Sequence, residues 1–102
     1  GVDLVMSGTA VDSNDAQRGG GIFQTASADI ACSGTVGDAS GMQLNVASVG
    51  GGAVWRDATT GATQSNTCDW GAGPADDNAP HDIWDVSTST ATNYGDNVTF
   101  DL

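Results

Sequence analysis

Met42-Gln-Leu-Asn-Val-Ala-Ser-Val-Gly50-Gly-Gly-Ala-Val-Trp-Arg-Asp57 is the stretch whose reading decides the fold. Met42, Leu44 and Val46 alternate with Gln43, Asn45 and Ala47, the period-2 signal of a strand with one buried face. Gly50-Gly-Gly52 supplies the backbone freedom of a tight reversal, and Ala53 to Asp57 reads as the return strand. Working outward, Ala28 to Val36 is a strand before this pair, leading into a turn over 37–41. Ala58-Thr-Thr-Gly61 is a turn after it, and Ala62 to Asp69 is a fourth, Thr-rich strand. The expected unit is a four-strand meander.

Cys32 and Cys68, the two cysteines of the chain, lie in the first and last strands of that unit. A disulfide between them is expected to stabilise the domain by about 4 kcal/mol on the chain-entropy model. The alternative is a pair of free, buried thiols.

Composition supports the same class. The chain of 102 residues is expected to form one domain over 1–102, with 15 Gly against long helices. There are 13 Asp, no Glu, no Lys and two Arg, for a net charge of −11. Glu and Lys populate helix faces, whereas Asp and Asn favour turns, so this bias also indicates an all-β fold. The expectation is a single small antiparallel β-sandwich or open barrel of about 7–8 short strands, closed by one disulfide. No internal repeat of fixed period is visible, which argues against a solenoid.

The acidity argues against nucleic acid and anionic membranes, which require a basic patch. No run approaches the ~18–20 apolar residues of a membrane span. A chain starting at Gly1 with a cysteine pair reads as secreted and processed, at the cell surface or beyond it.

In chain order, Val2, Leu4 and Met6 form one face of a first strand. Asp12 to Arg18 is a polar loop with room for one helical turn, capped by Ser13 or Asn14, and Ile22 begins another strand. The segment 71–81 is the longest loop. Ile83 to Val86 is a strand, Ser87 to Asn93 an exposed strand or loop, and Val98, Phe100 and Leu102 share one face of a closing strand.

Catalysis has the weakest support. His81 is the only histidine, and no nucleophile motif accompanies it. Asp82 and Asp85 are a carboxylate pair of a spacing common in so acidic a chain. One His and two Cys are too few for a soft-metal site, so no cofactor is expected. Calcium is the weak exception, with oxygen ligands at Asp12, Asn14 and Asp15 or at Asp76, Asp77 and Asn78, neither matching an EF-hand loop.

Two functions follow. The first is an extracellular structural or assembly protein, a subunit or accessory domain of a surface filament, pilus-like fibre or virion shell. It would act on a protein partner, either itself or a basic subunit, through Val2, Leu4, Val98, Phe100 and Leu102. The second is a secreted carbohydrate-binding module stacking sugars on Trp70, Trp84 and Tyr94, with Trp55 and Trp84 also read as core residues. The Asn97-Val98-Thr99 sequon counts only in a glycosylating source.

Overall fold

The structure, a computed structural model, describes residues 3–34, 41–57, 60–71, 76–96 and 98–102. Val2, the two turns expected at 37–41 and 58–61, residues 72–75 of the long loop and the sequon's Asn97 fall wholly or partly outside these residues. Twelve strands and no helix occur among the described residues. They are β1 (Asp3–Ser7), β2 (Ala10–Asp12), β3 (Asp15–Arg18), β4 (Ile22–Thr25), β5 (Asp29–Ser33) and β6 (Gly41–Gln43). After them come β7 (Val46–Gly50), β8 (Val54–Asp57), β9 (Thr63–Cys68), β10 (Ile83–Asp85), β11 (Thr90–Thr92) and β12 (Val98–Asp101).

The all-β class and the disulfide hold, but the antiparallel sandwich does not. Six of the eight strand pairings are parallel, and each joins strands about one coil apart in sequence. Asp3 lies opposite Asp29, Ala10 opposite Gly41, Asp15 opposite Val46, Ile22 opposite Val54, Ile30 opposite Thr63 and Val54 opposite Ile83, offsets of 26 to 33 residues. The chain therefore winds as a parallel β-solenoid. Its first coil is β1–β4 and its second β5–β8. The third contains β9, single bridges at Asp69 and Ala79, and β10. Among the described residues, only β11 on β10 and β12 on β9 run antiparallel, folding back over the third coil.

The expected hairpin across Gly50–Gly52 is a corner instead. β7 pairs with β3, while β8 pairs with β4 and β10, so the glycines turn the chain within one coil. They are needed because coils stack tightly there. A Cβ on Gly20 would stand 2.5 Å from the Gly52 carbonyl oxygen, and one on Gly52 would stand 2.6 Å from that of Ala79. The alternation read through Met42, Leu44 and Val46 is also broken. Leu44 has φ +57° and ends β6, after which Asn45 turns inward and Leu44 and Val46 are exposed. Nor is there a helical turn at 12–18, which forms the end of β2, a Ser13 bend at φ +58° and β3.

Stacked coils place equivalent residues above one another about 4.8 Å apart. Leu4, Ile30 and Thr63 form one inward column, Met6, Cys32 and Ser65 a second, and Ile22, Val54 and Ile83 a third. Cys32 and Cys68 bridge the second and third coils inside the tube, with both residues buried. Trp70, without exposure, fills the third coil against Phe100 and Tyr94, and its indole N–H donates to Ser65 Oγ at 3.0 Å.

The interior of the tube is not wholly apolar. Asn45 and Asn78 are completely buried, and with Asn14 they occupy the same place in successive coils. Asn45 Oδ1 accepts from the backbone N–H and the Nδ2 of Asn14, at 3.1 and 3.0 Å. Asn78 Oδ1 accepts from the backbone N–H and the Nδ2 of Asn45, at 3.0 and 3.1 Å. At another corner Arg56 bonds Thr63, Gly61 and Gln24 and forms an ion pair with Asp85 at 3.1 Å. Buried polar groups satisfied in this way cost little and fix the register of the coils.

Candidate functional site

The two ends of the solenoid present different surfaces. At the first-coil end, β1, β2, β3 and β4 each pair on one side only, with β5, β6, β7 and β8, so four strand edges are open among the described residues. Leu4 faces inward by register yet is 41% exposed, while its equivalent one coil on, Ile30, is 2% exposed. Val5 and Phe23, on the outer faces of β1 and β4, are 72% and 49% exposed. Unpaired edges beside apolar side chains are the usual template for adding a strand from another chain. Among the described side chains of β1 to β4, the charged ones are Asp12, Asp15 and Arg18, all exposed.

At the third-coil end, β11 and β12 cover two sheets, and the segment between them is fastened down. Asp82, fully buried, accepts from Tyr94 N–H at 2.6 Å and from Asn78 Nδ2 at 2.7 Å, while its own N–H donates to Asn93 Oδ1. Trp70 N–H donates to Gly95 O. Burial pushes the Asp82 carboxyl up to about 6, against the pull of the Tyr94 and Asn78 donors. Asp85 is held below its usual range, because the Ser87 and Arg56 hydrogen bonds and the Arg56 charge outweigh its burial. The two carboxylates thus differ, but Asp82 is inaccessible and has both oxygens engaged, an arrangement that fastens the chain.

Of the residues expected to make assembly contacts, Leu4 and Leu102 are exposed. Val98 and Phe100 turn instead toward the core, where Phe100 stacks on Tyr94 at 3.9 Å. The expected sugar platform is not assembled in this way either. Trp70 is buried and Tyr94 is paired with Phe100. Trp84 sits on the outer sheet face in one column with Phe23 and Trp55. There the rings cover one another: Trp55 and Trp84 centroids are 6.1 Å apart, His81 stacks on Trp84 at 5.8 Å, and Arg18 Cζ lies 5.2 Å from the Trp55 ring. His81 Nδ1 accepts from Gly51 N–H, and burial lowers its basicity. Trp55 Nε1 is the one buried side-chain polar atom without a partner among the described residues.

The calcium candidates also separate. Asn78 is buried and its Oδ1 already accepts twice from Asn45, which takes it out of the cluster expected with Asp76 and Asp77. Asp76 instead meets Asp69 and Asp96, with one oxygen from each within 4.8 Å of the others. The Asp69 hydrogen bond, burial and the neighbouring acids raise the Asp96 carboxyl to about 6. No helix among the described residues is long and apolar enough to cross a membrane. Neither known protein families nor curated proteins nor solved structures yield a match to this chain, and the functional reading rests on its own geometry.

Proposed function

We propose that this protein is an extracellular assembly protein, a subunit or accessory domain of a surface filament or particle shell, which acts through protein–protein contacts rather than catalysis. One observation carries the reading: four strand edges of the first coil lie open at one end, beside exposed Leu4, Val5 and Phe23. An isolated soluble β-protein normally blunts such edges with charge, proline or a covering segment. The third-coil end carries a covering segment, and the first-coil end, among the described residues, does not. The buried disulfide is compatible with an oxidising, extracellular setting. A partner with a basic rim suits a chain of net charge −11.

The test is native mass spectrometry and electron microscopy of the undenatured protein from its source. Recovery in a particle or complex, lost on Val5→Lys, is the expected result. A partner-free monomer at all concentrations sinks the proposal.

A further inference from the structure

We infer that the first-coil end receives a further parallel β-coil from a partner chain, with an asparagine seated over Asn14. This rests on the assembly reading above and names the partner's chemistry. The asparagine column is what specifies it. In the column each side-chain oxygen accepts from the backbone N–H and the Nδ2 of the asparagine one coil earlier: Asn78 Oδ1 from Asn45, and Asn45 Oδ1 from Asn14. Asn14 donates its half of this pattern, but its own Oδ1 accepts nothing among the described residues. It therefore offers a preformed acceptor, aligned with the tube, that repeats the one used twice inside.

The apolar positions agree. Leu4 tops the column Leu4–Ile30–Thr63 and is its one exposed member, while Ile22 tops Ile22–Val54–Ile83. An added coil with apolar residues at these places and an asparagine at the ladder place would meet the same kind of surface that the second coil presents to the first. Parallel pairing is required, because only a chain following the same corners can meet β1 to β4 together. The antiparallel alternative at the other end, β11 and β12, reaches only two sheets. A second copy of this chain is disfavoured by bringing two bodies of charge −11 together. Asp12 and Asp15 beside Asn14 favour basic residues next to the incoming asparagine.

The test uses the intact protein and a synthetic peptide of residues 10–25 carrying Asp12→Lys and Asp15→Lys, which keeps the ladder asparagine on the same strands and sets basic residues beside it. Amide hydrogen exchange is followed as the peptide is added, in parallel with the same peptide also carrying Asn14→Asp, which cannot supply the Nδ2–H. The expected result is saturable slowing in β2, β3 and β4, with binding about tenfold weaker for the Asp peptide. Equal effects from both peptides, slowing confined to β11 and β12, or no slowing overturns the inference. Concentration-dependent dimerisation through these same edges also overturns it, by seating a second copy there. If the native protein is found in an assembly and the peptide fails, the assembly reading survives and only the added coil is lost.

Discussion

The first and third coils follow the same winding yet end in opposite ways. The third coil is stitched to the second by Cys32–Cys68, filled by Trp70 and covered by two strands held through Asp82. The first has no cross-link and no covering strand among the described residues, and the asparagine column reaches its surface with an acceptor to spare. Repeat proteins need polar terminal units to stay soluble. The strands over the third coil, Thr90–Thr92 and Val98–Asp101, supply such a cap, whereas Leu4, Val5 and Phe23 leave the first coil apolar. The difference separates a covered end from one whose strand edges lie open among the described residues.

The largest expected way to erase that contrast is to remove the disulfide. Changing both Cys32 and Cys68 to Ser should cost about 4 kcal/mol in denaturant unfolding, with exchange in β9 rising toward that of β1. A double variant within about 1 kcal/mol of the parent would show that the bridge does not hold the closed end.

Acidity should sharpen the contrast. The Asp82 carboxyl is raised from 3.8 to about 6 in the folded state, so folding binds a proton between those values. The associated stability is fully present below about pH 4 and is lost as pH rises through 6. It amounts to at most about 3 kcal/mol from this one group. Thermal unfolding from pH 4 to 7.5 should show a falling midpoint, flattened by Asp82→Asn, with the loss centred on Asn93 to Asp96. A midpoint that rises over this range would contradict the assignment.

Asn45→Ala removes the acceptor of Asn14 and the donor of Asn78 together, and should cost about 2–3 kcal/mol by chemical denaturation. Asn14→Ala, at the exposed head of the same column, should cost clearly less. Equal losses would mean that the two ends are equally covered. The smallest effect on stability belongs to Val5→Lys, within about 0.5 kcal/mol of the parent, since the side chain is 72% exposed. Its consequence should appear in assembly alone, measured by native mass.

Strand existence was legible in the sequence, because β4, β5, β9, β10 and β12 coincide with apolar or Thr-rich runs bounded by turn residues. Pairing was not. Gly50-Gly-Gly52 is a plausible hairpin turn on local chemistry, and nothing local distinguishes a reversal from a corner. The coil repeat is present in Asn14, Asn45 and Asn78, and again in Gly19-Gly-Gly-Ile-Phe23 against Gly51-Gly-Ala-Val-Trp55. It has no fixed period, because corner loops change the coil length from 26 to 33 residues, and the third coil has Pro80-His81 where the others have glycine. The placement of the indoles is hidden for a related reason. Without the coil axis, Trp70 beside a long loop looks exposed, and Trp84 inside an apolar run looks buried. The meeting of Asp69, Asp76 and Asp96 depends on the return of β12 and has no local signal at all.

The constancy of those offsets has a kinetic consequence. In a sandwich or Greek key the last strands pair with distant partners, and the cost of closure grows with the size of the domain. Here every parallel pairing closes a loop of 26 to 33 residues, whichever coil it joins. Loop-closure entropy changes only logarithmically over such a range, so each coil pays nearly the same ordering cost as the one before. A chain of this kind could be lengthened by whole turns with little change in the difficulty of adding the next, like a thread taking up further turns on a spool.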